Sequence, residues 1–349
     1  MRATLFKGPR RVELGERPDP VIKEPTDAIV RVVMGCVCGS DLWYYRGINP
    51  HKEGSIGHEF IGIVEKIGDD VKDTKVGDLV IAPFDYSDGT CANCKAGYTF
   101  ECPHGGAFGN GDTDGGQGEY VRAPYADVNL VKVPKGEYTE DQLASFLALS
   151  DVMCTGFHAA SSAGVKKGDV VAVVGDGAVG LSGIIAAKLK GASRIIALSR
   201  NPARQKLAKE FGATDIVPER GEEAVAAVMK LTDGVGVNAA LECVGTKEAL
   251  ETAANVTRAG GMVGAVGVPT YGTIEYAKMF FWRNIGIKGG VAPARTYIPE
   301  LLKAVLNGRI NPGRVFDLRT DLDNVAEAYA AMDERRAIKS LLKVSEINR

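Results

Sequence analysis

The chain has 349 residues, of which 45% are hydrophobic and 25% are charged, and its formal net charge is -2. These values are ordinary for a globular protein of roughly two domains at about 150 residues each. The small net charge argues against nucleic acid or an anionic membrane surface as the main partner. No apolar run approaches the roughly 20 residues that cross a bilayer, and the N-terminus lacks the apolar stretch of a signal peptide. We therefore expect a cytoplasmic protein whose seven cysteines stay reduced.

The first part of the chain, to about residue 150, is rich in short β-branched runs broken by Gly, Pro and Asp. Such runs predict strands of a mixed, mostly antiparallel fold. The clearest are AIVRVVM, IGIVEKIG and DLVIAPF.

From Val170 the pattern changes to short apolar strands that alternate with helices. VVAVVGDG, RIIALS and TDIV predict strands, and AVGLSGIIAAKLKGA and NPARQKLAKEFGA predict the helices between them. The alternation indicates an α/β domain with a parallel sheet covered on both faces. The tail after about residue 294 adds two amphipathic helices, YIPELLKAVLNG and LDNVAEAYAAMDE.

Three separated positions carry metal-binding side chains: Cys38 in GCVCGSD, His58 beside Glu59 in GHEFIGIV, and Asp151 in LSDVMCTG. Thiolate, imidazole and carboxylate together suit zinc, and three protein ligands leave a fourth position open for chemistry. The spacing is too long for a local zinc knuckle, so the fold must assemble the site. Alone, these side chains would be a buried thiol, a core histidine and a helix cap; together they predict a catalytic metal.

These runs resemble the zinc-dependent medium-chain alcohol dehydrogenases over essentially the whole chain. The most specific run is Gly57-His58-Glu59, followed by Gly62, Gly68 and Val71. The resemblance implies a discontinuous, mostly β, GroES-like catalytic domain over residues 1–152 and 294–349. It also implies a Rossmann-type, doubly wound dinucleotide-binding domain over residues 153–293, with the catalytic zinc facing the nicotinamide.

The resemblance also implies roles for the residues of the metal site. Cys38 and His58 match the first two zinc ligands, and Asp151 falls where relatives have Cys or Asp. Glu59 matches a carboxylate beside the metal that ligates it transiently or tunes its field.

The same resemblance implies a proton relay and a substrate pocket. Ser40 matches the relay hydroxyl, and Trp43 stands where relatives often carry the next relay histidine. His51 is an alternative second relay group, although a solvated loop histidine is the favoured interpretation. Trp43, Phe84 and Met153 match positions that line an apolar pocket, which suits a small or medium organic alcohol.

A second group of cysteines, Cys91, Cys94 and Cys102, has the spacing C-x2-C-x7-C. Relatives with a structural zinc have a further Cys where this chain has Asp88. Carboxylate oxygen also binds zinc, so Asp88 with three cysteines predicts a closed structural site. The alternatives are that His104 supplies the fourth ligand or that no metal binds.

A glycine motif follows the strand VVAVV and opens a helix, which is the context that makes GxGxxG a dinucleotide-binding motif. Its glycines permit a tight turn and close approach of the backbone, and the helix N-terminus faces the pyrophosphate. The predicted cofactor-binding residues here are Gly175, Gly177, Ala178, Val179 and Gly180.

The residues after the second strand of this domain predict the choice of cofactor. An NAD enzyme presents Asp or Glu there, about 20 residues after the glycine motif, whereas this chain has Ser199-Arg200. Hydroxyl and guanidinium suit the 2′-phosphate of NADP, and Arg204 adds a second positive charge. NAD is the alternative. By resemblance, Val268 flanks the nicotinamide and Lys339 lies near the pyrophosphate.

The sequence therefore predicts a zinc- and NADP-dependent dehydrogenase or reductase that acts on a primary or secondary alcohol or its aldehyde or ketone. Relatives suggest a homodimer or homotetramer. A zinc-free quinone or enoyl reductase, a polyol or amino-alcohol dehydrogenase, and a non-catalytic cofactor-binding protein remain alternatives.

Overall fold

The computed structural model describes residues 1–347, which fall into two compact units. Unit 1 comprises Met1–Asp151 and the chain from Pro293 onwards, and unit 2 comprises Val152–Ala292. Each junction lies one residue before the predicted boundary. Residues 348–349 of the predicted catalytic domain lie outside the described residues.

The strands of residues 1–347 are β1 (Arg2–Gly8), β2 (Arg11–Glu16), β3 (Ala28–Cys36), β4 (Gly54–Ser55), β5 (Phe60–Ile67), β6 (Leu79–Ala82), β7 (Asp85–Tyr86), β8 (Gly106–Ala107), β9 (Tyr120–Ala123), β10 (Val131–Lys132), β11 (Val170–Val174), β12 (Arg194–Leu198), β13 (Asp215–Val217), β14 (Val237–Glu242), β15 (Thr257–Ala265), β16 (Gly286–Gly289), β17 (Leu318–Asp321) and β18 (Ser340–Lys343).

The α-helices of the same residues are α1 (Asp41–Tyr45), α2 (Ala92–Lys95), α3 (Ala126–Asn129), α4 (Glu140–Ala148), α5 (Val152–Ser162), α6 (Ala178–Leu189), α7 (Pro202–Phe211), α8 (Gly221–Leu231), α9 (Lys247–Val256), α10 (Tyr276–Met279), α11 (Ala294–Leu306) and α12 (Val325–Asp333). Short 3-10 turns lie at Thr99–Glu101, Phe281–Arg283, Pro312–Val315 and Leu322–Asn324.

Unit 1 is built around a mixed sheet in the order β10-β6-β5-β3-β18-β17, with β9 also paired to β3. Its ladders are antiparallel except for β17 with β18. Strand β3 is buried along its whole length, as expected for a central strand whose residues are almost all apolar. The end of this strand leads directly into the first predicted metal ligand.

Unit 2 is a parallel sheet in the order β13-β12-β11-β14-β15-β16. This is the 3-2-1-4-5-6 order of the doubly wound nucleotide-binding fold. Its sequence order reverses between β11 and β14, and ligands of such sheets bind where the carboxyl ends of the strands meet that reversal. The glycine motif follows β11, so it lies at this edge. The predicted fold class is confirmed.

Within residues 1–347, no single helix is long and apolar enough to cross a bilayer. The pair Glu140–Ala148 and Val152–Ser162, which a short break separates, reaches that length and composition only when the two helices are counted together.

Candidate metal and cofactor sites

Two groups of metal-binding side chains come together in unit 1. The histidine cluster consists of Cys38, His58, Glu59 and Asp151, and the three-cysteine cluster consists of Asp88, Cys91, Cys94 and Cys102. In each cluster, one ligand atom from every member lies within 4.8 Å of the others. Both groups therefore match the sets of residues predicted from the sequence.

Neighbouring elements bring the histidine cluster together. Cys38 follows β3, and His58 immediately precedes Glu59 and β5, the antiparallel neighbour of β3. Asp151 follows α4, and its Oδ2 lies 3.4 Å from Cys38 Sγ and 3.3 Å from His58 Nε2. Ser150 fixes this turn, because its hydroxyl donates to the carbonyl of Phe60 at 3.2 Å.

Asp41 connects two members of the histidine cluster, a role that the sequence interpretation missed. Its Oδ2 accepts a hydrogen bond from the backbone N–H of Cys38 at 2.9 Å, and its Oδ1 lies 3.5 Å from His58 Nδ1. A carboxylate behind a metal-binding histidine orients the ring and sets its tautomer. The run GSD after Cys38 contained the signal, since Asp41 is its last residue.

Gln117 extends this network into the core of unit 1. Its Nε2 lies 3.4 Å from Asp41 Oδ2, 3.1 Å from the carbonyl oxygen of Cys36 and 3.0 Å from the hydroxyl of Tyr329. A Cβ on Gly57, whose φ is +90°, would lie 2.5 Å from the Gln117 side chain. Glycine beside His58 therefore allows both the backbone turn and the close approach of Gln117.

Lys339 is buried in the same region. Its ammonium donates to Glu59 Oε1 at 2.6 Å and to the carbonyl oxygen of Val37 at 3.1 Å, and both side chains are at most 1% exposed. The resemblance placed Lys339 near the pyrophosphate; the partners found here are Glu59 and Val37, and a cofactor contact stays a prediction. No sequence pattern predicts the pair of Lys339 with Glu59, since the two residues lie 280 positions apart.

The charges of the histidine cluster fit a divalent cation. Burial raises the pKa of the Cys38 thiol, and the Asp151 carboxylate raises it further. Glu59 Oε2 is buried and has no hydrogen-bond partner within the described residues. Burial alone would lower the pKa of Lys339, but the neighbouring Cys36 and Glu59 outweigh burial and raise it well above its ordinary value. Crowded thiol and carboxyl groups with one unpaired buried oxygen are a donor set that zinc would complete.

The three-cysteine cluster is held by backbone hydrogen bonds. The N–H of Cys94 points to Cys91 Sγ at 3.4 Å, and the N–H of Asp88 points to Cys102 Sγ at 3.4 Å. The hydrogen bond from the N–H of Cys94 is the main cause that lowers the pKa of Cys91, as a thiolate ligand requires.

Asp88 lies with the three cysteines within 4.8 Å and His104 is not in that group, but the identity of a fourth zinc ligand stays a prediction. His104 Nδ1 instead lies 2.7 Å from Asp88 Oδ2, while the N–H groups of Thr90 and Cys91 donate to Oδ1. The contact with His104, followed by these two N–H groups, holds the pKa of Asp88 well below its usual range. The four side chains fit a closed structural zinc site.

The predicted relay and pocket residues lie on different parts of the chain. Ser40 precedes α1 and is half-buried, as is Trp43 within that helix. Phe84 is also half-buried, with its ring centroid 6.2 Å from that of His58. Met153 belongs to unit 2, where it is buried in α5. Their relay and pocket roles stay predictions.

His51 is half-buried on the loop before β4. Its ring nitrogens face the carbonyl oxygens of Lys52 at 2.6 Å and Gly109 at 3.0 Å. Its ring also contacts those of Phe6 and Tyr44. The ring is therefore packed on one side and partly exposed to solvent, and its role as a second relay group stays a prediction.

The glycine motif of unit 2 has the geometry of a nucleotide loop. Gly175, directly after β11, has φ +117°, which favours glycine, and Gly177 caps the N-terminus of α6. A Cβ on Gly180 would lie 2.1 Å from the carbonyl oxygen of Gly175, so the motif can pack this tightly only without a side chain. Ala178 and Val179 fill the first turn of α6, whose N-terminus suits a phosphate.

The predicted 2′-phosphate residues lie at the start of the next βα unit. Ser199 follows β12 and is buried, Arg200 is exposed, and Arg204 is buried in the first turn of α7. Sequence reasoning missed Asp176 of the glycine loop, whose carboxylate accepts hydrogen bonds from Ser199 Oγ and Arg204 Nη1. Val268 is half-exposed beyond β15, and its carbonyl oxygen closely approaches Gly245.

Comparison with known proteins identifies the family. Residues 24–135 match the family described as "Alcohol dehydrogenase GroES-like domain", and residues 178–307 match "Zinc-binding dehydrogenase". The chain is 34% identical to the zinc-type alcohol dehydrogenase B of Aspergillus flavus, an alignment that covers 99% of this chain and 82% of that protein.

Two further relatives are also alcohol dehydrogenases. Identity to the NADP-dependent isopropanol dehydrogenase of Thermoanaerobacter brockii is 34%, over 94% of each chain. The solved structure of alcohol dehydrogenase TADH from Thermus sp. ATN1 superposes with a TM-score of 0.90 at 33% identity, covering 99% of this chain and 100% of that one. The chain therefore belongs to the zinc-dependent alcohol dehydrogenases of the medium-chain dehydrogenase/reductase superfamily.

Proposed function

We propose that this chain uses zinc and NADP(H) to transfer a hydride between the cofactor and a primary or secondary alcohol or its aldehyde or ketone. The observation that carries the proposal is that Cys38, His58, Glu59 and Asp151 come together within 4.8 Å, with all but the half-buried His58 removed from solvent. Zinc, when bound there, supplies a Lewis acid that lowers the pKa of an alcohol hydroxyl. A zinc-free quinone or enoyl reductase and a non-catalytic protein have no use for such a site.

The protein side chains have separate tasks in this proposal. Cys38, His58 and Asp151 would hold the metal, and Glu59 would add a carboxylate beside it. Asp41 orients His58 through the 3.5 Å contact with Nδ1. Ser40 is the relay hydroxyl: it accepts the proton that leaves the alcohol while it gives its own hydroxyl proton onward to water.

Trp43, Phe84 and Met153 are the predicted substrate-binding residues, and their apolar side chains disfavour a polyol or an amino alcohol. The substrate class is therefore a small or medium organic alcohol or carbonyl compound. We expect a homodimer or homotetramer, as the family resemblance implies.

The preference for NADP rests on Ser199 and Arg200 at the end of β12. Neither is acidic, and a guanidinium with a neighbouring hydroxyl suits a phosphate. The Thermoanaerobacter brockii relative, named as NADP-dependent, supports this assignment. NAD is the alternative cofactor.

The test is a panel of alcohols and carbonyl compounds assayed with NADP(H) and NAD(H), with and without a zinc chelator. We expect turnover that is lost on chelation and restored by zinc. Full zinc occupancy without turnover of any substrate would contradict a catalytic role.

Arg200→Ala should lower kcat/KM with NADP about tenfold or more, as expected when a charged hydrogen bond of about 1.5–3 kcal/mol is lost, and should leave NAD nearly unaffected. Arg258→Ala, an exposed arginine at the start of β15, is the matched control. A wild type that already prefers NAD would contradict the NADP assignment.

A further inference from the structure

The glycine loop carries a carboxylate that the cofactor must meet. Asp176 lies between Gly175 and Gly177, directly after β11. Strands β11 and β12 are parallel neighbours in the register Val174 with Leu198. Their carboxyl ends therefore lie side by side, which brings the glycine loop next to the residues that follow β12.

Asp176 binds two of the residues assigned to the 2′-phosphate. Ser199 Oγ donates to Asp176 Oδ2 at 3.0 Å, and Arg204 Nη1 lies 3.3 Å from Oδ1 and 3.4 Å from the Asp176 carbonyl oxygen. Ser199 is 4% exposed and Arg204 is 6% exposed, so these contacts are largely shielded from water. Shielding strengthens both the attraction that holds them and any repulsion nearby.

In this chain, the carboxylate near the ribose 2′-position comes from the glycine loop and not from the end of the second strand. In Rossmann domains that bind NAD, the acidic residue ends the second strand and accepts a hydrogen bond from the ribose 2′-hydroxyl. Here Ser199 directly follows the second strand, and the carboxylate of Asp176 in the neighbouring loop accepts a hydrogen bond from the Ser199 hydroxyl. A 2′-hydroxyl can donate to that carboxylate, whereas an ionised 2′-phosphate cannot.

A 2′-phosphate would also compete with Asp176 for the same donors. Arg204 would be shared between two anions, and Ser199 has one hydroxyl proton to give. The carboxylate is thus a repulsive element against one of two closely similar ligands, which is one way in which binding sites gain specificity.

We propose that Asp176 is a specificity-determining residue that opposes the 2′-phosphate of NADP and favours the 2′-hydroxyl of NAD. The inference rests on the proposed function, in which Ser199 and Arg200 favour NADP. Asp176 reduces this preference, so the chain uses both cofactors. The ratio of its affinity for NADP to its affinity for NAD is smaller than Ser199 and Arg200 alone would give.

The experiment measures dissociation constants of NADP⁺ and NAD⁺ for the full-length protein by titration calorimetry. Asp176→Asn and Asp176→Ala both remove the charge, and exposed Glu223→Gln on α8 is a charge-matched control in the same unit. Both Asp176 variants should shift the affinity ratio toward NADP⁺ by about tenfold, equivalent to about 1.4 kcal/mol. The control should keep the wild-type ratio.

Two shorter probes separate the adenosine 2′-position from the rest of the cofactor. Adenosine 2′,5′-bisphosphate should bind more tightly to the Asp176 variants, whereas ADP, which has a free 2′-hydroxyl, should not. Binding of ADP also shows that a variant has kept its nucleotide site.

An unchanged ratio in both Asp176 variants would overturn this inference alone, provided that Arg200→Ala still weakens NADP⁺. Failure of the wild type to bind either dinucleotide would overturn the proposed function and this inference together.

Discussion

The buried carboxyl of Asp85 is in an environment that disfavours its charge. Asp85 lies on β7, next in sequence to Phe84, and is 2% exposed. Neither carboxyl oxygen has a well-formed hydrogen bond within the described residues, although Thr99 lies beside it. Burial raises the pKa of Asp85 from 3.8 to about 7, and the charge of Asp151 contributes.

Asp85→Asn should change the pH dependence of stability. Between pH 4 and 7 the folded protein holds a proton on Asp85 that the unfolded chain has lost, so stability falls as pH rises and levels off above pH 7. At about 1.4 kcal/mol per pKa unit, the cost of the charge at pH 8 reaches at most about 4 kcal/mol. The variant lacks this cost, so its urea midpoint should rise relative to wild type between pH 5 and pH 8.

Exposed Asp69→Asn is the control for this comparison, and its midpoint should follow that of the wild type at both pH values. A constant difference between Asp85→Asn and wild type from pH 5 to pH 8 would show that Asp85 is ionised in the folded protein throughout.

At the residue scale, the sequence predicted those site residues whose side-chain type is characteristic of metal binding. Cys38, His58 and Asp151 have residue types that zinc requires, so their roles could be predicted before their distances were known. The run GSD after Cys38 held a signal for Asp41 that the sequence interpretation did not use, whereas nothing in the sequence distinguished Asp176, because a carboxylate in a loop is usually solvated. The contacts of Asp41 with His58 and of Asp176 with Ser199 distinguish them from surface acids.

Helix α12 contributes to the histidine cluster without supplying a ligand. The fully buried hydroxyl of Tyr329 exchanges hydrogen bonds with Gln117, which contacts Asp41 Oδ2, and Asp41 lies against His58. A chain of buried polar contacts thus runs from this helix to the imidazole. Because each group is removed from water, a missing member leaves its neighbour unsatisfied.

Tyr329→Phe should therefore weaken zinc at the histidine cluster by about tenfold, the lower end of effects seen for outer partners of metal ligands. The measurement is zinc retention against a competing chelator, read separately for the two metal sites in the full-length protein. Tyr45→Phe is matched, since Tyr45 is buried in the same core with its ring 5.5 Å from that of Tyr329. Equal zinc retention in the two variants would show that the Tyr329 hydroxyl does not support zinc binding and that the residue only packs in the core.

The spacing of apolar residues along the sequence predicted the strands and helices in which buried and exposed residues follow a regular pattern. The strands and helices from Val170 to Val217 were confirmed, because apolar strands and amphipathic helices each leave a distinct period. Helix α4 was not predicted, and α5 was considered only as the helix that Asp151 would cap if it were not a ligand. Both are buried over most of their length, which removes the polar face that makes a helix recognisable.

At the scale of the whole molecule, metal and nucleotide sites belong to different units. Both metal clusters lie in unit 1, and the glycine loop with Ser199 and Arg200 lies in unit 2. A ligand that binds only the folded state stabilises the part of the structure that holds it. Metal and nucleotide should therefore protect different stretches of the backbone.

Hydrogen exchange of the full-length protein measures this protection directly. Chelation should speed amide exchange in residues 36–59 and 85–107, and nucleotide should slow exchange in residues 174–204. If chelation speeds amide exchange in residues 174–204 as much as in residues 36–59 and 85–107, the metals stabilise both units alike and the prediction is wrong.

The pairing of β18 with β3 also has a consequence for synthesis of the protein. β3 is made early, but residues 34–36 pair with residues 341–343, near the end of the chain. A nascent chain that ends at Asp151 already holds all the side chains of both metal clusters, yet Glu59 lacks the ammonium of Lys339 and this stretch of β3 is an open edge. Such edges invite pairing with other chains. A truncated product that lacks β18 would therefore carry the predicted metal ligands together with an aggregation-prone strand edge.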